Sequence, residues 1–294
     1  MNKMSIERRA AVLSSLVEGN SIASTCRMFV VNKVTVLRLL ADAGTLAHDY
    51  HDLVVRDLAT KRIQMDEIWS FCHSKNQNVR SSDWGKGYGD LWTWVSIDAD
   101  SKLVINWHVG GRDGGAATIF VADLADRLND RVQLTSDGWA PYRNAVTRAF
   151  GSDVDYAMLI KTYGPDRSTA TRYSPPQLTS VTTEVRCGTP AEAHISTSFV
   201  ERQNLSMRMG MRRFTRLTNG FSKRAENHKH MIALYYFHYN FIRPHMTIKT
   251  TPALLAGVAD HEWTMVEFVE KLAWKETTCG GRLTNYKASK RRAS

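Results

Sequence analysis

Residues 62–72 read Arg62-Ile63-Gln64-Met65-Asp66-Glu67-Ile68-Trp69-Ser70-Phe71-Cys72. The stretch is rich in Ile, Phe and Trp and has the length of a strand. A carboxylate in the middle of an apolar strand is costly to bury unless it is paired or bound to a metal. Asp66 is therefore the first candidate site residue, and the elements around its strand decide what kind of site it belongs to.

Downstream, residues 91–97 and 102–109 also read as strands, with Asp98-Ala99-Asp100-Ser101 as turn chemistry between them. That tight spacing predicts an antiparallel hairpin pairing 92–97 with 103–109. A helix follows over 116–128, then a short apolar strand over 132–135, a helix over 142–150 and a strand over 156–160. The order β-β-β-α-β-α-β predicts an α/β fold, a mixed five-stranded sheet flanked by helices. Residues 161–197 are rich in Thr, Ser, Pro and Gly with little periodicity, and read as a long loop or insertion. Helical character returns at Ser198, again over 225–240, and in a short stretch over 263–274.

Upstream, residues 1–46 form a helical unit. Ala10, Val12, Leu13, Leu16 and Val17 recur at helical spacing over 6–17, Gly19 ends that helix, and Asn20 or Ser21 can cap a second over 22–29. Val30-Val31-Asn32 is a turn, and 33–43 gives a third helix closed by Gly44. Two short helices across such a turn make a helix-turn-helix, whose second helix can enter a major groove. Lys33, Thr35 and Arg38 fall on its polar side. Residues 47–60 read as a linker or a further helix.

The chain has 294 residues, 43% of them hydrophobic and 23% charged, as expected of a globular protein with a real core. No long apolar run suggests a membrane span, and the N-terminus lacks the apolar core of a signal peptide, so a cytoplasmic protein is expected. Four scattered cysteines without a C-x-x-C pair argue against a zinc knuckle. A formal charge of +10 points to a polyanionic partner, since each phosphate neutralised releases condensed counterions.

Two further carboxylates stand out by context. Asp137, in Thr135-Ser136-Asp137-Gly138-Trp139, follows a short strand at its carboxyl end, where ligand sites of α/β sheets collect. Glu201, in Ser198-Phe199-Val200-Glu201-Arg202-Gln203-Asn204, lies in the first turn of a helix. Taken singly, Asp137 reads equally as a turn residue and Glu201 as a charge complementing the helix dipole. Together, three carboxylates from two strands and one helix suit two hard cations such as Mg²⁺ or Mn²⁺. Two such ions can activate a water or 3′-hydroxyl and steady the leaving oxygen in one in-line displacement.

The segments Met65-Asp66-Glu67-Ile68-Trp69, Ser136-Asp137-Gly138-Trp139 and Phe199-Val200-Glu201-Arg202-Gln203-Asn204 resemble those of bacterial DDE insertion-sequence transposases, nearest to the insertion-sequence-one family. Tyr239-Asn240-Phe241-Ile242-Arg243-Pro244-His245, followed by Thr250-Thr251-Pro252-Ala253, looks like the C-terminal part of such enzymes. The resemblance covers most of the chain, including the helix-turn-helix start. It implies a ribonuclease H-like core over 61–256, using Mg²⁺ or Mn²⁺ for strand cleavage and transfer, with Asp66, Asp137 and Glu201 as catalytic and metal-binding triad. It also implies double-stranded DNA as partner (transposon terminal inverted repeats and target DNA), a homo-oligomer assembled on DNA, and a place at the bacterial nucleoid. The interval from Asp137 to Glu201 is 64 residues, longer than in many compact members, with segment 161–197 supplying the excess and Glu184 and Glu192 standing as rivals for the third carboxylate.

Arg202, Arg208, Arg212, Arg213, Arg216, Lys223 and Arg224 follow Glu201 with no acidic residue among them. Arg208 and Arg212, four apart, are expected on one helix face, while Met207, Met209, Met211 and Phe214 pack on the core. The five arginines from Arg202 to Arg216 thus read as a phosphate-tracking surface. Trp84, Trp139 and Tyr142 are candidates for stacking on bases, and His238 and His245 for contacts near the site. Residues 257–294 are expected to hold a C-terminal helix and a basic tail. Two other functions fit parts of the same sequence: a helix-turn-helix regulator, and a ribonuclease H-like nuclease that cuts without joining.

Overall fold

A computed structural model describes residues 4–164, 178–215 and 218–284. The described chain divides into two compact units. One comprises residues 1–56, 69–92 and 204–294, the other 57–68 and 93–203. Arg216 and the basic tail from 285 onward lie outside the described residues.

The strands β1 (Arg62–Cys72), β2 (Gly89–Asp98), β3 (Val104–Gly110), β4 (Gln133–Asp137), β5 (Asp155–Tyr163) and β6 (Leu178–Cys187) form one mixed sheet in the order β3-β2-β1-β4-β5-β6. β2 and β3 are joined by the tight turn 99–103, a connection that suits antiparallel neighbours. Asp98 shapes it, accepting the backbone N–H groups of Asp100 at 3.2 Å and Ser101 at 3.0 Å. β4 pairs in parallel with β1 and with β5, and β5 pairs antiparallel with β6.

The sheet has six strands where five were expected. β6 runs inside 161–197, the stretch read as a loop. All but two of its residues are exposed, including Leu178, Val181 and Val185, so no buried face imposes an apolar alternation on its sequence. Its β-branched content, Val181-Thr182-Thr183 and Val185, was the only signal it carried.

In the second unit the core forms around fully buried Ile63, Met65, Trp94, Val104, Phe120, Leu134, Tyr142 and Met158. Helices α4 (Gly114–Ala125) and α5 (Pro141–Phe150) pack together there, α4 also against β3. In the first unit α1 (Ile6–Val17) and α2 (Ile22–Phe29) have the bounds read from the sequence. Ser5 and Ser21 cap them by accepting the N–H groups of Arg8 and Ser24. The third helix, α3 (Lys33–Val54), does not stop at Gly44 but continues over much of the stretch expected as a linker. Gly44 serves a helix crossing instead: a Cβ there would lie 2.5 Å from the Cα of His230 in α7 (Ala225–Phe237). After α7, a wider turn over His238–Ile242 leads to α8 (Pro252–Leu255) and α9 (Met265–Thr278).

Helix α6 (Ser198–Gly210) also departs from expectation. It ends at Gly210, whose missing side chain accommodates the Tyr235 ring: a Cβ there would meet Cε2 at 3.0 Å. Arg212 follows in a separate 3₁₀ turn and so shares no helix face with Arg208. Met207, Met211 and Phe214 are buried as expected, whereas Met209 is exposed.

Candidate metal centre

The site grows from the register of β1 against β4. Arg62, Ile63 and Gln64 pair with Gln133, Leu134 and Thr135. Asp66 lies two residues beyond Gln64 on β1, and Asp137 two beyond Thr135 as the last residue of β4. One carboxylate oxygen from each of Asp66, Glu67 and Asp137 lies within 4.8 Å of the other two. Hard oxygen donors crowded this closely are the donor set that Mg²⁺ or Mn²⁺ takes.

Glu67 was not singled out in the sequence, where it reads only as Asp66's neighbour. Its side chain is the most buried of the three, 1% exposed. Arg112 Nε donates to Oε1 at 2.6 Å and the buried Tyr142 hydroxyl donates to Oε2 at 2.9 Å. Burial, and then the neighbouring charge of Asp137, push the Glu67 carboxyl up from its ordinary value, against Arg112 and Tyr142. Tyr142 is therefore a buried anchor and is not available to stack on bases.

Asp137 is also raised, first by burial, with the charge of Glu201 adding to it. The backbone N–H of Trp139 donates to its Oδ1 at 3.0 Å, and Arg112 approaches its Oδ2 at 3.9 Å. Trp139 itself packs against Trp94 and Tyr142, with the Arg112 guanidinium over its ring. A strand end, a buried acid and a single arginine thus concentrate negative charge in one place, which is the electrostatic condition for binding a cation.

Glu201 reaches this neighbourhood through β1. Gln64 and Asp66, two apart on a strand, face the same side of the sheet. Gln64 Oε1 accepts the N–H of Phe199 at 2.8 Å and of Val200 at 3.2 Å, which caps the start of α6. Glu201 follows in the first turn, its own N–H bonded to the Thr197 carbonyl. Its carboxylate is ion-paired with Lys161 and accepts from Thr197 Oγ1 at 2.6 Å. It stands outside the group of three that share a 4.8 Å radius, while its charge acts on Asp137. Of its rivals, Glu184 lies on β6 between Arg143 and Arg186, and Glu192 is exposed in a short turn.

The candidate DNA-contacting residues are spread over both units. Lys33, Thr35 and Arg38 are exposed on α3, and Arg202 is exposed on α6. Arg208 and Arg212 are half-buried, and Arg213 donates to Ser222 Oγ at 3.1 Å. His238 is buried in the first unit, as part of its core, and Trp84 is exposed there. His245 also belongs to that unit. No helix among the described residues is long and apolar enough to cross a membrane.

No family model matches this chain, and no similar curated protein was found. Among solved structures the chain is similar to the piggyBac transposase in a cryo-EM structure of its synaptic complex with hairpin DNA. The identity is 10% and the TM-score 0.38, over 97% of this chain and 75% of that one, a distant likeness that transfers no activity.

Proposed function

We propose that this chain is a DDE-type transposase, a metal-dependent enzyme that cuts and joins DNA, with Asp66, Asp137 and Glu201 as its acidic triad. The observation that carries the reading is the placement of three elements by one strand. β1 bears Asp66, whose carboxylate lies within 4.8 Å of that of Asp137 at the end of β4, and through Gln64 caps the helix that bears Glu201. Divalent cations held there would supply Lewis-acid activation of the attacking oxygen and charge relief for the leaving oxygen.

The chain's own residues prepare that role. Arg112 and Lys161 partly neutralise the carboxylates in the metal-free protein, Arg112 on Glu67 and Asp137, Lys161 on Glu201. Glu67, held by both Arg112 and Tyr142, ties β1 to the segment after β3 and to α5, and adds a fourth carboxylate to the acidic group. The helix-turn-helix over 1–46 and the arginines after Glu201 would bind terminal repeats and target DNA in the nucleoid, and joining two ends calls for an oligomer.

The test is cleavage and strand transfer of end-bearing DNA in Mg²⁺ by purified protein. Asp66→Asn, Asp137→Asn and Glu201→Gln should each abolish both reactions while end binding in chelator persists. If all three variants still cut and join, the assignment is wrong.

A further inference from the structure

The first unit contains a cavity of about 580 Å³ that the proposed reaction does not use. This is within the range of roughly 300–1,000 Å³ typical of small-ligand sites. Much of its lining is apolar, with Leu16, Leu37, Phe221 and Met231 among the residues. Lys33, Arg212, Arg213, Lys223 and Arg224 also line it, and no acidic residue does among those described.

Three helices begin at this cavity. Asn20, Ser21, Ile22 and Ala23 bring the start of α2, Lys33 and Val34 the start of α3, and Arg224 precedes α7. Ser21 and Asn32 cap the first two, whereas α7 has no side-chain cap. Each helix start adds a partial positive charge to the lysines and arginines already there. Lys33 and Lys223 are close enough to repel: burial first, then the charge of Lys33, hold the Lys223 ammonium below its ordinary value. Lys223 also lies 3.3 Å over the face of Phe221, so the cationic and apolar parts of the lining meet at one place.

We propose that this cavity is a binding site for a nucleoside phosphate, the base seated against the apolar lining by Phe221 and the phosphate held among Lys33, Arg212 and Lys223. A flat, partly apolar body carrying a compact dianion meets both halves of the lining. A simple anion would leave the apolar lining unused, and an uncharged aromatic molecule would leave like charges facing one another. The nucleoside phosphate can be a free nucleotide or an unpaired nucleotide of a DNA strand. The inference extends the DNA-binding part of the function proposed above and does not depend on its metal chemistry.

The test uses the full chain in chelator at moderate salt, titrated calorimetrically with thymidine 5′-monophosphate, thymidine and inorganic phosphate. The nucleotide should bind at least tenfold more tightly than either fragment. Lys223→Gln and Phe221→Leu should each weaken it about tenfold while leaving the circular dichroism spectrum unchanged. Displacement of the nucleotide by a duplex with one unpaired thymidine, and not by the fully paired duplex, identifies a DNA strand as the source. Displacement by neither duplex identifies the free nucleotide. The proposal is overturned if the nucleotide does not bind, if either fragment binds as tightly, or if both variants bind like the parent. Because chelator silences strand cleavage, a failure here leaves the carboxylate assignment standing.

Discussion

The side-chain oxygen of Gln64 accepts the backbone N–H of Phe199 at 2.8 Å, so a residue of β1 caps the helix that carries Glu201. The cap satisfies two N–H groups that a helix start leaves without intrahelical partners. Gln64→Met removes the acceptor at nearly constant volume and should cost about 1–2 kcal/mol in a urea melt. Strand cleavage should fall more than stability implies, by about tenfold or more, because small displacements of a catalytic group are expensive. Gln64→Glu keeps an oxygen acceptor at a helix N-terminus and should restore most of the activity. Equal cleavage by Gln64→Met and the parent would remove the cap from the mechanism.

Arg112 and Glu67 form the second relationship that the site depends on. A carboxylate 1% exposed keeps its charge only with its partners in place. Arg112→Ala leaves the Tyr142 hydroxyl as the one remaining donor described, and should destabilise the protein by about 1–3 kcal/mol. Adding Glu67→Gln should recover much of that loss, since the neutral amide needs no cation. The double-mutant cycle measures it, and additive effects of the two changes would show that the pair is not coupled.

Crowded carboxylates also make the metal-free site a source of instability. Burial and Glu201 raise the Asp137 carboxyl, which means that keeping it ionised costs more in the folded chain than in the unfolded one. Asp137→Asn should therefore raise the melting temperature in chelator, by roughly 2–4 °C for each kcal/mol relieved. Mg²⁺ should raise the melting temperature of the parent and leave that of the variant almost unchanged. A variant that melts lower than the parent in chelator, or gains as much from Mg²⁺, would contradict a cation site at Asp137.

Much of this site could be read from sequence because its constraints are local. Asp66 stands out as a charge in an apolar strand, and Asp137 as an acid at a strand end before Gly138. Glu67 does not stand out, because its partners Arg112 and Tyr142 are far along the chain and only the sheet brings them together. Strand β6 shows the same limit from the other side: exposed on both faces, it needs no alternation and displays none. Helix α6 starts at Ser198, where helical character is legible in the sequence, yet its end at Gly210 coincides with contact with Tyr235, which sequence spacing does not encode.

His228 gives the fold a pH dependence separate from the site. Ser70 Oγ donates to the Leu91 carbonyl, so it can only accept from His228 Nε2, at 3.2 Å. Nδ1, at 2.8 Å from Ser222 Oγ, is then the acceptor, and the ring is neutral. Burial first, then the charges of Arg213 and Lys229, lower its pKa from 6.5 to about 3. The unfolded chain therefore takes up a proton that the folded chain refuses. Stability from this residue is complete above about pH 6.5 and declines as pH falls towards 3, by at most about 1.4 kcal/mol per pH unit. Urea melts between pH 6.5 and 4 should show a shallower decline for His228→Gln than for the parent. Parallel declines would mean that His228 is not held neutral.

Gly44 separates the two meanings a glycine can have in a helical sequence. Read locally it is a helix terminator, and in the folded chain it lies inside α3, where the helix passes α7 at His230. A Cβ at this position would come within 2.5 Å of the His230 Cα and carbonyl oxygen, which are backbone atoms and cannot rotate away. Elsewhere in a helix, Gly→Ala stabilises by up to about 1 kcal/mol. Here the clash should reverse the sign, and Gly44→Ala should lose about 1–3 kcal/mol as the two helices are forced apart. A urea melt decides the matter, because an uncrowded glycine inside a helix would gain from alanine and a glycine at a close crossing would not. A midpoint unchanged or raised by Gly44→Ala would refute the close crossing of α3 and α7.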